Sequence, residues 1–354
     1  MIVLKFFGLW FLNNVSFMRI VLLTLISLSI SSFSWAQGCC SGGSGSPIAG
    51  GAATGVLQKS QMEVSGNFQI NESNKFLAGS KDTLVDKFEN LSSSYLFTRV
   101  DYGVSDKLTI SAAAGYFLDK TFEESEGKEV SSSGFGDLIV LPRYDIFNKK
   151  KGLTRTELTL GLGVKIPLGS HIDSNLVSSI PIIGDIYTTS PPTVQPTNGS
   201  SDIMFYSFFL KSYQNGKTRL FSNALYIKKG FNSLGEKFGD YGSVSVFYKI
   251  GFLKKCGFTT QIKGEAIGKM QSAEHIDLLA YYNIYQESTG SKKVFFIPQI
   301  SYTHESITLY TTSEIPLYQY LNGSQVASKY QFTAGLNYRF FTKKPKVVSI
   351  DLVH

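Results

Sequence analysis

Apolar and polar side chains alternate along most of this chain with a period of two. In Lys329–Phe341 (KYQFTAGLNYRFF), Tyr330, Phe332, Ala334, Leu336, Tyr338 and Phe340 take every second place, with Lys329, Gln331, Thr333, Gly335, Asn337 and Arg339 between them. In Arg155–Pro167, Leu158, Leu160, Leu162, Val164 and Ile166 oppose Glu157, Thr159, Gly161, Gly163 and Lys165. Successive side chains of a strand point to opposite faces, so each run is a strand with one apolar and one wet face. Their length, with aromatics near the ends of the apolar face in Lys329–Phe341, predicts membrane-spanning strands. The same pattern predicts strands at Gln61–Ile70, Ser93–Val104, Leu108–Leu118, Asp137–Phe147, Ile203–Tyr213, Thr218–Lys229, Ser243–Leu253, Phe258–Gly268, Val294–Thr303 and Ser306–Ser313. Thr218–Lys229 is the ambiguous member, because both of its faces are partly apolar.

The connections alternate in length. Ser105-Asp106, Asn148–Gly152, Gln214–Lys217, Lys254–Gly257 and His304-Glu305 are tight turns. Asn71–Asn90, Asp119–Ser133, Leu168–Ser201, Phe231–Asp240, Met270–Lys292 and Glu314–Ser328 are longer polar segments. An even set of about twelve strands with such asymmetry predicts an all-β fold over residues 60–341, an antiparallel transmembrane β-barrel with long outer loops and short periplasmic turns. A soluble sandwich or lipid-binding barrel is the competing reading, and it has no reason to alternate loop lengths. Asn322-Gly323 is expected to form a surface turn. Gly161 and Gly163 are expected to permit close packing or a bend rather than to open a ligand path.

Composition agrees with a membrane barrel. Mean hydropathy is +0.01. Aromatic residues are 14% and charged residues 17%, the latter below the roughly 25% usual in soluble domains. The N-terminal residues 1–36 are expected to be a secretory signal peptide. Met18–Ala36 carries Arg19, an apolar run and the small-x-small site Ser34-Trp35-Ala36, and Met18 is the expected start. Lipidation at Cys39 or Cys40 is an alternative that Ala36 and Gln37 fit poorly. Residues 37–59 form a Gly/Ser/Cys-rich segment, expected to be flexible and periplasmic, either a tail or a segment that folds into the barrel mouth, and 342–354 a C-terminal tail. Net charge is +7, about +5 once Lys5 and Arg19 are removed with the leader, and it is not gathered on one face, so no nucleic-acid site is expected.

The wet faces of the strands define a candidate lumen lining: Glu63, Arg99, Asp101, Arg143, Asp145, Arg155, Glu157, Lys165, Lys249, Lys263, Glu265 and Arg339. These charges either pair across strands and fill the interior or line a polar path. Their mixed sign argues against strong ion selectivity.

Three stretches resemble one family. Gly134–Phe147 (GFGDLIVLPRYDIF) resembles the G-x-GD-x-x-x-x-x-RY motif of the outer-membrane proteins named for the phenol meta-cleavage pathway. Leu158–Gly169 (LTLGLGVKIPLG) resembles that family's glycine-alternating strand, and IPLYQYLNGSQ followed by GLNYRF resembles its closing segment. The resemblance implies a barrel of the fatty-acid and aromatic-compound transporter kind, one that lets small hydrophobic molecules cross the outer membrane. The Cys-rich segment departs from the family pattern.

Other chemistry is sparse. Cys39 and Cys40 are adjacent, and a disulfide from Cys256 to either is open in an oxidising periplasm. Soft-metal binding by the thiolates is the alternative, though no metal site is expected from His, Cys and Asp spacing. His171, His275, His304 and His354 accompany no G-x-S-x-G elbow, and no phosphate loop is present. No catalytic residue, enzymatic activity or cofactor is therefore expected. The leading expectation is a passive outer-membrane channel for small hydrophobic or aromatic solutes, with membrane lipid, the solute and the outer-membrane assembly machinery as partners. The alternatives are a structural, adhesive or sensory platform, and a membrane-embedded hydrolase if a Ser and a His meet on the rim.

Overall fold

Period-two alternation gives each strand one apolar and one polar face, and closure into a ring leaves no unpaired edge and turns the apolar face to lipid. The computed structural model describes residues 55–83, 90–123, 129–180, 184–252, 255–282, 284–329 and 331–343. Twelve long strands follow in order: β1 Gln61–Ser73, β2 Asn90–Ser105, β3 Leu108–Glu123, β4 Asp137–Lys151, β5 Thr154–Pro167, β6 Asp202–Tyr213, β7 Thr218–Lys228, β8 Tyr241–Phe252, β9 Cys256–Ile267, β10 Ser291–His304, β11 Ile307–Val326 and β12 Gln331–Phe341. Each pairs antiparallel with the next, and β12 returns to β1 in register from Gln61↔Phe341 to Asn71↔Gln331, which closes the barrel. No helix among the described residues is long and apolar enough to cross a membrane.

The outward face is a continuous apolar belt. Val64, Ile110, Leu160, Leu162, Val164, Val244, Val246, Ile262, Ile300, Leu309 and Leu336 are exposed aliphatics around it. Tyr102, Tyr144, Tyr248, Tyr302 and Tyr338 stand toward the end with the short turns, and Tyr116, Phe205, Tyr226, Tyr318 and Phe332 toward the other. Aliphatics between two aromatic girdles are the surface a bilayer selects, and the chain is an outer-membrane barrel by this belt and its closure.

Several local expectations are corrected. The segment Glu314–Ser328 is not a loop: β11 runs to Val326. Pro316 is accommodated because the pairing of β11 with β10 slips between Val294 and Phe295, a bulge that spares the ladder a missing N–H. Asn322-Gly323 is likewise not a surface turn but a second irregularity within β11, with Gly323 at φ 62° and Asn322 Nδ2 donating to Thr289 O at 2.8 Å. The outer loops carry their own structure: strands Phe76–Gly79 and Glu129–Phe135 extend the wall, Ser174–Ile180 pairs with Gly184–Thr189, and Leu278–Tyr282 is a short helix. Gly161 and Gly163 serve close packing: a Cβ on Gly163 would lie 2.6 Å from Val140 O.

The leader, Cys39, Cys40 and the tail beyond Lys343 lie outside the described residues. Gly55–Gln58 turns into the barrel mouth rather than away from it. Val56 N donates to Glu157 Oε1 at 3.2 Å, Leu57 N donates to Thr109 Oγ1 at 2.8 Å, and Leu57 is buried. Cys256 opens β9 on the outward parity of Phe258 and Ile262.

Candidate functional site

The lumen has two unlike walls. On β1 and β12 the inward residues are polar: Ser65, Asn67, Gln69 and Asn71 on one strand, Thr333 and Asn337 on the other, all buried. On β2 to β4 and β6 to β8 the inward face carries, beside its charges, an apolar cluster of Tyr95, Phe97, Ala113, Phe117, Ile139, Leu141, Met204, Tyr206, Phe208, Leu210, Phe221, Leu225, Ile227 and Phe247. The rings of Phe221 and Phe247 stack at 4.4 Å, and those of Tyr95 and Phe117 meet at 4.5 Å. Such contacts fix ring positions beyond simple area burial. Tyr95 also lies over Gly115, where a Cβ would collide with its ring.

An ionic girdle crosses the waist. The register sets Glu63 opposite both Arg339 and Asp101, and Asp101 opposite Ser111. Arg99 Nε donates to Asp101 Oδ2 at 2.8 Å and Arg99 Nη2 to Glu63 Oε1 at 3.2 Å. Arg143 Nη2 donates to Asp101 Oδ1 at 2.8 Å and to Ser111 Oγ at 2.9 Å, and Ser111 Oγ donates to Asp101. Arg339 Nε closes the chain on Glu63 Oε2 at 2.7 Å. Asp101 is 0% exposed and Arg99 4%, so these charges depend on each other rather than on water.

The mouths are different again. At the outer end Lys165 Nζ lies 2.5 Å from Asp137 Oδ2 and Lys229 Nζ 2.9 Å from Asp202 Oδ2, while Lys263 lies 2.5 Å from Glu314 and 3.4 Å from Glu265. Residues 190–200 fold into this end. Val194 is fully buried against Leu91, Val130 and Val326, and Gln195 holds the segment through Asp173 O at 2.9 Å and Ser190 O at 3.1 Å. Above it lies a cavity of about 1070 Å³ lined by Phe76, Phe122, Leu176, Tyr187, Leu279 and Ile284 among others. At the inner end a cavity of about 460 Å³ is bounded by Val56, Leu57, Leu210, Arg155, Glu157, Arg219 and Arg339.

All twelve proposed lumen residues sit on inward parity. Glu63, Arg99, Asp101, Arg143 and Arg339 join the waist network; Arg155 and Glu157 pair at 2.8 Å at the inner mouth; Asp145 lies close by and accepts from Asn148 at 2.8 Å; Lys165 belongs to the outer cluster. Lys263 pairs with Glu265, and Lys249 stands beside Arg219. Sequence reasoning missed Asp137, Asp202, Lys229, Arg219 and the whole apolar wall. The available signal was the apolar content of both faces of Ile203–Tyr213 and Thr218–Lys229, which is what a strand buried inside and lipid-coated outside must show. On the outer rim His171 Nε2 lies 2.8 Å from Ser233 Oγ. Glu236, buried nearby, accepts from Asn232 Nδ2 at 2.8 Å, and its carboxyl is raised by burial, opposed by Asn232 and His171.

No protein-family model and no curated protein matches the chain. Among solved structures the COG4313 outer membrane channel from Pseudomonas putida F1 superposes with a TM-score of 0.58 over 83% of this chain and 100% of that one, at 10% identity. The NanC porin (TM-score 0.40, 11% identity, 78% and 98% of the two chains) and the KdgM porin (0.38, 7%, 78% and 99%) also match. At these identities the likeness is one of fold. It supports the barrel kind that the sequence resembles and says nothing of phenol metabolism. The expectation that the chain has no enzymatic activity is corrected. With Ser233 and His171 in contact on the rim, the fold gives no ground for excluding catalysis. What the closure, the girdled belt and the structural match together establish is a twelve-stranded outer-membrane β-barrel.

Proposed function

We propose that this barrel is a channel for small apolar or aromatic solutes, which cross passively along its apolar inner wall. The observation that carries this reading is the cluster from Tyr95 to Phe247, which puts aromatic and aliphatic side chains on the lumen side of six strands, β2 to β4 and β6 to β8. A pore for hydrophilic solutes has no use for such a wall, whereas an apolar solute gains about 25 cal/mol for each Å² removed from water against it. The outer cavity has Phe76, Phe122, Tyr187 and Ile284 among polar side chains such as Thr189, Gln195, Asn232 and Gln325, the mixed lining of a small-molecule site. The buried waist makes the channel closed at rest, and passage requires side chains there to move.

That same packed waist favours a second reading, a platform that presents its outer loops and transports nothing. Uptake of an aromatic probe into proteoliposomes separates the two. The channel reading expects uptake above that of empty liposomes, together with discrete conductance steps in planar bilayers. A correctly folded barrel that gives neither overturns it and leaves the platform.

A further inference from the structure

The inner mouth carries more positive charge than its partners neutralise. The ladder places Arg155 opposite Ser212, Ser212 opposite Arg219, and Arg219 directly opposite Lys249, so three cations stand across four adjacent strands on one lumenal level. Like charges directly opposite each other destabilise a sheet, and neighbouring strands are about 4.8 Å apart. Arg155 is paired with Glu157 and Arg339 with Glu63. Arg219 gives its Nε to Gly216 O at 3.2 Å, and neither its terminal amines nor Lys249 Nζ has a carboxylate partner among the described residues. Arg155, Arg219 and Arg339 border the inner cavity of about 460 Å³, whose remaining wall includes Leu57 and Leu210. Leu210 is the inner end of the apolar cluster.

We infer that the inner mouth binds a carboxylate attached to an apolar body, with Arg219 and Lys249 holding the anion and Leu57 and Leu210 against the hydrocarbon. Arg219 borders the cavity and Lys249 stands directly opposite it on the next strand; an anion beside Arg219 stabilises both cations, and Arg in particular offers a planar fork that matches a carboxylate. The apolar half of the ligand rests on the channel reading; the anionic half does not. The mixed charges along the whole lumen balance elsewhere, so the bias is local to this mouth.

The test is equilibrium titration of the full chain, purified folded in detergent, with benzoate, benzyl alcohol and inorganic phosphate. Benzoate is expected to bind at least about tenfold more tightly than benzyl alcohol, with affinity falling as salt rises. Arg219→Gln and Lys249→Gln are each expected to weaken benzoate several-fold and leave benzyl alcohol unchanged. Arg219→Lys, which keeps the charge, is expected to retain most of the binding. Because the opposed cations repel, both Gln variants are also expected to raise the unfolding midpoint without ligand, which separates the effect from misfolding. Equal binding of benzoate and benzyl alcohol overturns the anion site. Phosphate binding as tightly as benzoate overturns the apolar half. Neither result depends on conductance or uptake, so a barrel that binds benzoate yet passes no aromatic probe refutes the channel and keeps this site.

Discussion

Asp101→Asn removes one charge from the waist at nearly constant volume, and its cost follows from the contacts. Asp101 is fully buried and accepts from Arg99 Nε at 2.8 Å, Arg143 Nη2 at 2.8 Å and Ser111 Oγ. Breaking a buried ion pair from one side costs about 3–5 kcal/mol, since the other charge is left in a poorly solvated place. Arg99 keeps Glu63 at 3.2 Å, so the lower end, about 3 kcal/mol, is expected here. Urea unfolding in lipid vesicles, followed by circular dichroism and by the mobility shift of folded barrels on gels, measures this. Adding Arg143→Met should recover part of the loss, with a coupling of about 0.5–3 kcal/mol, because the orphaned cation is then gone. The same single variant should lengthen open times in planar bilayers, since the waist loses a cross-link. A stability change under about 1 kcal/mol would mean that water reaches and solvates Arg143, and the picture of a dry ionic girdle would be wrong.

Other perturbations follow from the same contacts. Gly163→Val should destabilise the barrel by about 1–3 kcal/mol and lower the folded fraction on gels, because its Cβ would sit 2.6 Å from Val140 O and 2.9 Å from Leu141 Cδ1. Phe208→Ala, at a site 0% exposed within the apolar wall, should cost about 3–5 kcal/mol and admit bulkier aromatic probes in uptake assays. Val194→Asp would bury a carboxylate among Leu91, Val130 and Val326. It should release the 190–200 segment, seen as faster proteolytic nicking there and a larger conductance. In the β7–β8 loop, burial works against the Asp240 carboxylate, yet the Lys229 N–H, the Tyr226 hydroxyl, Lys237 and Lys228 hold it below the usual aspartate range. A depressed carboxylate stabilises the folded loop above its unfolded value and loses that stabilisation as pH falls through its folded value. The protection of the Lys229 amide, its exchange rate relative to the intrinsic rate at each pH, should therefore fall in acid, and Asp240→Asn should flatten that dependence.

The outward half of the fold was legible because lipid imposes one rule on every strand. Leu158 to Ile166, Val244 to Ile250 and Phe332 to Phe340 could be assigned to the outer face by parity alone, and the charges opposite them to the lumen. The inner half obeys no single rule. Charged positions such as Arg99 and Asp101 declare themselves, but Phe221, Leu225 and Ile227 alternate with Leu220, Ala224 and Tyr226, and a run that is apolar on both sides carries no parity signal. Arg219 was overlooked on that same strand for this reason. The β11 segment failed differently: Pro316 and Asn322-Gly323 are strand breakers locally, and pairing with β10 and with Phe76–Gly79 overrode them through bulges. The placement of Val194 inside the outer mouth is wholly tertiary, with no trace in its Pro- and Thr-rich surroundings.

The two obstructions in the lumen differ in what would have to change to clear them. The waist is carried on strands whose ladder hydrogen bonds are shared with both neighbours, so moving Asp101 or Phe208 by a backbone shift would disturb lipid-facing residues on the other side of the same strands. Rotamer changes are the available motion there, on a timescale set by packing. The segments at the mouths carry no such constraint. Residues 190–200 are held by side-chain bonds from Lys120, Ser132, Gln195, Thr197 and Asn232, by backbone bonds to Asp173 and Ser170 and by the buried Val194, while Gly55–Gln58 is held chiefly by Glu157, Thr109 and Gln61. Local opening free energies are lowest where few apolar contacts and few backbone bonds hold a segment. Gly55–Gln58 should therefore open before residues 190–200, and the waist should limit passage. Glu157 accepts from Val56 N and pairs with Arg155 beside Arg219, so the hold on the inner segment and the proposed anion site share one wall of the inner cavity.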